Sequence, residues 1–372
     1  MPLSLSLITI LSLLLSTATA TTLGVTYTAT SDAPPPEQLI ATFLSLKITA
    51  VRLPNPNPNL IRAFTYTNIS LFLTIPNSVI PAISGNRSAA DLWLFAYVIP
   101  FYPRARITAI SVGTDVFSQG DVTVTDLLVP AVRNVKLSLT DIGITEITVS
   151  TTLSFVNVIT TSFPPSSARF LEPVNTLVIR PLLDLLAETN SSLFVSLDSY
   201  SVYKLRPEIP IGFALFQQHA FNFREDTVTG VRYRNLFDIM LDAVIVAMAV
   251  AGHENIPVVV AETGWPCYDS NNEVEAREVY AKMYLQGLVN HVRSGKGTPL
   301  KREGATEVYV YELFDRNDTG SESLGWQNWG FCYLNMSLKF DIDFSNGGGS
   351  MLMEEGVKMV TMCLMILVLY TF

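Results

Sequence analysis

Two carboxylates draw attention in this 372-residue chain because each closes an otherwise apolar run. Asp115 ends the run Ile107–Asp115 (ITAISVGTD), and Glu262 ends Ile256–Glu262 (IPVVVAE). An acid placed where a buried strand leaves the core is delivered to the rim of the sheet, where α/β barrels carry their reacting groups. Glu262 is followed by Thr263-Gly264-Trp265-Pro266, a turn that sets the carboxylate beside an indole at that rim. Taken singly, either acid also reads as a helix cap or loop carboxylate. Other chemistries lack their residues. His219, His253 and His291 are scattered without metal-ligand spacing, and no G-x-S-x-G elbow occurs, so neither a metal nor a cofactor is expected. Paired carboxylates acting alone point towards glycoside hydrolysis, in which one acid protonates the leaving oxygen and the other attacks or activates water.

Eight β-branched runs supply the elements that must position such a pair. They are Leu23–Tyr27, Ile48–Leu53, Ile69–Ile75, Ile107–Asp115, Ile144–Ser150, Ser192–Asp198, Ile256–Glu262 and Glu307–Phe314. Most are nearly continuous apolar stretches, the pattern of parallel strands buried on both faces. Between them, Val122–Ser138 and Leu236–Ala251 carry apolar residues at helical spacing. Strands alternating with helices predict an α/β fold, a single-domain (β/α)₈ TIM barrel over residues 21–344. The alternative, a doubly wound open sheet, calls for a glycine-rich phosphate turn after an early strand, and the sequence has none.

The termini read as targeting signals. Leu3–Leu15 is apolar and Ala18-Thr19-Ala20 is a small-x-small site, so residues 1–20 are expected to be a signal peptide. At the other end, Ser345–Ser350 is a small-residue cluster, followed by a polar spacer and an apolar tail from Met359 to Phe372. That order predicts a GPI-anchor signal over 345–372, with a tail-anchored helix as the alternative. Secretion agrees with sequons at Asn68, Asn86, Asn190, Asn317 and Asn335 as N-glycosylation sites, and with a disulfide between Cys267 and Cys332. The expected location is the cell wall or the outer face of the plasma membrane, with membrane contact only through the lipid anchor. A net charge of −9 and pI near 4.9 disfavour a nucleic-acid partner. A monomer is expected.

The motifs Leu23–Tyr27, Arg52-Leu53, Pro100–Pro103, Val149–Thr151, Ser162–Ser166, Tyr233–Asp238 with Asp242, Val258–Pro266, His291–Pro299, Tyr311–Asp315 and Asn328–Gly330 occur in one order along the chain. Together they resemble plant glycoside hydrolase family 17, the β-1,3-glucanases and their relatives, from Leu23 to about Cys332. The resemblance implies a (β/α)₈ barrel, retaining hydrolysis of β-1,3-glucan and an elongated cleft at the barrel mouth. Within it, Glu262 matches the nucleophile. The family's V-G-N-E acid/base segment reads Val112-Gly113-Thr114-Asp115, which makes Asp115 the proton donor and places Thr114 against the sugar in place of an Asn. Tyr27, Tyr200, Trp265 and Phe314 are the aromatic rings expected to stack on pyranose faces.

The chain also departs from that pattern. Arg316 replaces an acid, Asp318-Thr319 stands where a Lys is expected, and Trp326 replaces a second acid. Asp198 replaces an aromatic ring, and Pro54-Asn55 an aromatic–Asp pair. Asp115 is one methylene shorter than the usual Glu, while a retaining pair sits about 5–5.5 Å apart. The expectation is therefore a β-1,3-glucan hydrolase, with a non-catalytic glucan-binding relative at the cell surface as the alternative.

Overall fold

The structure is a computed structural model that describes residues 21–30, 32–117, 122–268, 273–316 and 328–344. The expected leader, the small-residue cluster with its apolar tail, and the sequon at Asn317 lie outside these residues. Eight parallel strands close into a barrel: β1 (Thr22–Thr26), β2 (Ala50–Leu53), β3 (Ser70–Ile75), β4 (Arg106–Thr114), β5 (Thr148–Ser154), β6 (Leu193–Ser196), β9 (Val258–Thr263) and β10 (Glu307–Val310). Helices follow the strands in alternation, as the (β/α)₈ reading expects. A two-stranded antiparallel hairpin, β7 (Arg224–Glu225) and β8 (Arg232–Tyr233), is inserted between β6 and the helix Leu236–Val250. Among the described residues no helix is long and apolar enough to cross a membrane.

Each apolar run lands on a barrel strand, with the largest shifts at β5 and at β10, which ends at Val310 rather than Phe314. The run Ile144–Ser150 becomes β5 only from Thr148, because Ile144 packs into the core from the turn that precedes the strand. The helix expected at Val122–Ser138 continues to Asp141 despite Pro130 inside it. The Leu236–Val250 helix is capped by Asn235, whose side chain accepts from the Asp238 N–H at 2.7 Å. It is apolar on nearly every face because it is buried on nearly every face.

The barrel interior is filled by Ala50, Phe72, Ala109, Phe194, Val259, Ala261 and Tyr309. Phe72 contacts Phe194 with ring centroids 4.7 Å apart and Tyr309 at 5.5 Å. Gly24 makes room for this filling, since a Cβ there would lie 2.6 Å from the Tyr309 ring and 2.9 Å from the Ala50 carbonyl. A second, larger core lies between the strands and the surrounding helices. Two packed layers thus hold the C-terminal strand ends rigidly around one mouth.

Candidate active site

Glu262 reaches the mouth through an irregularity in β9. Val259 and Ala261 fill the barrel interior, so strict alternation would turn Glu262 outward. On the β10 side, however, Val308 pairs with Val260 and Val310 with Thr263; on the β6 side, Val195 pairs with Val260 and Ser196 with Glu262. The extra residue on β9 is a bulge, which re-aims the side chains beside it. The Glu262 side chain is 13% exposed.

β4 carries a matching irregularity, pairing Ser111 with Ser150 and then Thr114 with Thr152. Gly113 occupies it with φ of +77°, where a Cβ would lie 2.7 Å from Ile80 and 2.8 Å from Asn77. Asn77 grips the next peptide from both sides: the Thr114 N–H donates to its Oδ1 at 2.9 Å, and its Nδ2 donates to the Thr114 carbonyl at 3.0 Å. Asp115 follows in the left-handed region with φ of +46°, which Asp tolerates better than most residues. Its N–H donates to the Thr152 carbonyl at 2.9 Å. The Asn157 amide donates to both Asp115 oxygens, at 2.9 and 3.1 Å.

Arg52 joins the two strand ends. Its side chain is fully buried, one nitrogen donates a short hydrogen bond to Glu262 Oε1, and the other donates to Thr114 Oγ1 at 3.1 Å. The guanidinium lies 5.5 Å from the Phe72 ring centroid, on top of the barrel filling. β2 is separated from β9 by β1 and β10, so Arg52 spans the mouth. The planar fork suits this double contact, since one rigid group orients two partners at once.

Two further acids stand on the strands flanking β9. Asp198, after β6, is buried and caps the helix Ser199–Leu205, accepting from the Ser201 N–H at 2.9 Å and from the Ser201 hydroxyl. Burial pushes its carboxyl up to about 6; the Ser201 hydrogen bonds oppose the rise and the Glu262 charge adds to it. Glu312, after β10, is 1% exposed and accepts from Thr28 Oγ1 at 2.9 Å. Burial pushes it up to about 8, while Arg316 and Thr28 pull it down and Glu262 pushes it further up.

The expected stacking rings are placed differently from one another. Tyr200 is half-buried, its hydroxyl donates to Glu273, and its ring lies 5.0 Å from Trp265 and 6.1 Å from Trp329. Trp265 is only 1% exposed, packed between Tyr200, Tyr203 and Tyr284, with its indole N–H on the Glu275 carbonyl at 2.8 Å. Tyr27 and Phe314 are buried edge to face at 6.0 Å. Three of the four rings therefore form the packed wall behind the mouth rather than an open surface.

The expected disulfide is not formed. Cys267 and Cys332 are free, buried thiols. Cys267 Sγ donates to the Gly330 carbonyl at 3.2 Å, which directs it at backbone rather than at a second sulfur. Burial pushes both thiols up to about 12. Asn68, Asn86, Asn190 and Asn335 are all exposed, and Asn86 also caps the helix Arg87–Tyr97. Among the described residues no group of three or more His, Cys, Asp or Glu could hold a metal ion. Lys339 donates to both Asp315 oxygens, at 2.9 and 2.7 Å.

The sequence reading reached Glu262, Asp115 and Thr114 but missed Arg52, Asn77, Asn157 and Glu312 as parts of the site. Arg52 carried a signal in retrospect, being a lone charge inside the apolar run Ile48–Leu53. Asn77 and Asn157 carried none, because they lie in short helical turns after β3 and β5, Asn77–Val79 and Phe155–Val158, whose positions depend on the closed barrel.

A closed parallel barrel with an Arg-tethered carboxylate at its mouth is a glycosidase-like architecture. The profile of glycosyl hydrolases family 17 matches residues 23–344, and the chain belongs to that family. Glucan endo-1,3-beta-glucosidase 2 of Arabidopsis thaliana is 36% identical over 318 residues, covering 85% of this chain and 62% of the relative. Glucan endo-1,3-beta-glucosidase 13 of the same plant is 34% identical over 321 residues, covering 84% and 62%. The chain thus spans about three fifths of the length of these relatives. Among solved structures, a beta-1,3-glucanase and allergen of Cryptomeria japonica pollen superposes with a TM-score of 0.80 at 29% identity, covering 87% of this chain and 99% of that one. A plant beta-glucan endohydrolase gives 0.76 at 31% identity, covering 86% and 99%.

Proposed function

We propose that the chain hydrolyses (1→3)-β-D-glucosidic linkages of β-1,3-glucan by a retaining mechanism. The observation that carries this reading is the Arg52 fork, which orients Glu262 from one strand end while holding Thr114, the neighbour of Asp115, on another. Glu262 attacks the anomeric carbon as Asp115 delivers a proton to the departing glycosidic oxygen, leaving a glycosyl ester on Glu262. Asp115 then takes a proton from water as the water displaces Glu262. Thr114 and Tyr200 contact the sugar nearest the bond; Tyr27, Trp265 and Phe314 back that surface from beneath. Callose-like glucan of the cell wall is the substrate that fits a secreted, GPI-anchored, glycosylated monomer, and the relatives' names support the linkage.

One feature favours a second reading, a surface protein that binds glucan without turning it over. Asp115 is short, sits on left-handed backbone, and has both oxygens held by Asn157. Reducing ends released from linear β-1,3-glucan by the secreted chain, by Glu262→Gln and by Asp115→Glu separate the two. Hydrolysis abolished by Glu262→Gln supports the enzyme. A silent parent that still binds glucan, with activity gained in Asp115→Glu, supports the binding protein.

A further inference from the structure

Asp115 takes a backbone anchor and a side-chain anchor from one short stretch, residues 152–157, where β5 ends at the barrel mouth. Its N–H donates to the Thr152 carbonyl at 2.9 Å. Five residues further on, the Asn157 amide donates to its Oδ1 at 2.9 Å and to its Oδ2 at 3.1 Å. Asn157 lies in the turn Phe155–Val158, which follows β5 directly. Phe155 and Val158 are buried and pin that turn to the core, and the Ile159 N–H closes it on the Phe155 carbonyl at 3.0 Å. A pinned amide thus fixes the direction of a side chain that starts from left-handed backbone after the irregular end of β4. The chemistry of the donor adds a second effect, because both contacts come from Nδ2. A carboxylate accepts at both oxygens, whereas a carboxylic acid has turned one of them into a donor. The double contact is therefore complete only once Asp115 has given up its proton, and hydrogen bonds to a charged group are the stronger kind.

We propose that Asn157 is a positioning residue for proton donation: it aims the short Asp115 side chain and holds the negative charge that appears there as the glycosidic bond breaks. This rests on the hydrolase reading above. In the first step the Asp115 O–H bond breaks and its proton passes to the glycosidic oxygen. The bond from that oxygen to the anomeric carbon breaks, its electron pair staying on the oxygen, and a Glu262 oxygen bonds to the carbon. The charge lost by Glu262 in forming the ester is the charge gained by Asp115. The Asn157 contact strengthens as that charge develops, so it lowers the barrier rather than only tightening the ground state. Its benefit is confined to bonds whose departing oxygen needs the proton. A substrate whose leaving group departs as a stable anion draws nothing from Asp115 in this step, and so nothing from Asn157.

The test compares two substrates, linear β-1,3-glucan and a β-1,3-linked oligoglucoside carrying a dinitrophenolate leaving group. Wild type, Asn157→Leu and Asn157→Ser are assayed as the full chain, with thermal melting as a check on folding. On glucan, Asn157→Leu should lose about tenfold in kcat/KM, the step between a hydrogen bond to a charged and to a neutral group, with KM unchanged. On the dinitrophenyl substrate its kcat/KM should stay within about twofold of wild type, because that ratio reports the first step alone. Asn157→Ser keeps a donor on a shorter arm and should lose less than Asn157→Leu on glucan. Equal losses on both substrates overturn the proposal, since a damaged fold or a weakened sugar site harms both alike. An unchanged kcat/KM on glucan overturns it too. If Asn157→Leu fails to fold, the same two-substrate comparison with Asn157→Ser decides. A wild type that cleaves only the dinitrophenyl substrate has a working Glu262 and an Asp115 that donates no proton, which sinks the role of Asn157 alone. A wild type that cleaves neither removes the hydrolase reading itself.

Discussion

Replacing Arg52 by Met keeps much of the side-chain volume while deleting the cation that pairs with Glu262. The consequence follows from burial. Arg52 is fully buried and the Glu262 side chain is 13% exposed, so the remaining carboxylate has little solvent to replace its partner. Removing one member of a buried pair costs about 3–5 kcal/mol. The modest exposure of Glu262 brings the expectation to the lower end, about 3 kcal/mol, with the lost contact over Phe72 adding under about 1 kcal/mol. The assay is urea unfolding at pH 7 followed by tryptophan fluorescence for Arg52→Met, Glu262→Gln and the double variant. Because Gln carries no charge, the double variant should recover about 2 kcal/mol relative to Arg52→Met, a coupling of the size that contacting residues show. Hydrolysis by Arg52→Met should fall by at least about 100-fold, since both Glu262 and the Thr114 segment lose their common tether. A loss below about 1 kcal/mol in Arg52→Met, or a double variant no more stable than that single one, would refute the tether argument.

Further outcomes concern the frame around the site. Asp242 is buried on the helix Leu236–Val250, and burial pushes its carboxyl up to about 7 against the pull of Thr298 and the Leu300 N–H. Its folded form therefore binds a proton that the unfolded form has lost, so its contribution is intact below about pH 4 and is lost as pH rises to about 7. Asp242→Asn should remove that decline, gaining up to about 4 kcal/mol relative to wild type between pH 4 and pH 8 in paired urea titrations; parallel pH curves for the two proteins count against it. Gly24→Ala should cost about 2–3 kcal/mol and lower the melting temperature, because its Cβ meets the Tyr309 ring at 2.6 Å inside a filled barrel. A melting temperature within experimental error of wild type would show that Tyr309 can move aside. Cys267 and Cys332 should both react with a thiol reagent in denaturant without prior reduction and resist it in the native protein; a mass consistent with a bridge would contradict the free-thiol arrangement.

The barrel was legible because its signal is repeated. Eight apolar runs at similar spacing leave few ways to bury both faces of each strand, and all eight became barrel strands. The boundary of β5 was misplaced because Ile144 is apolar for the same reason a strand residue is, although it lies in the preceding turn. Chemistry at strand ends was legible for a different reason. A carboxylate after an apolar run has nowhere to go except the rim, which singled out Glu262 and Asp115. The stacking rings were less so, because aromatic side chains serve as cores as readily as surfaces, and Trp265 shows the former use.

By itself the amino-acid sequence determined the fold class and the positions of the two acids, since local apolar periodicity and order along the chain suffice for both. Tertiary structure alone decided what surrounds those acids. The β9 bulge at Glu262 exists only in register with β6 and β10, which come from distant parts of the chain. The Arg52 fork spans 210 residues of sequence to reach Glu262, and no spacing rule encodes such a contact. Whether the two cysteines join was likewise settled by direction rather than by count, because the Cys267 sulfur points at the Gly330 carbonyl. Even the burial of Glu312 depends on closure of β10 against β1, which brings Thr28 over its carboxyl from the far end of the chain.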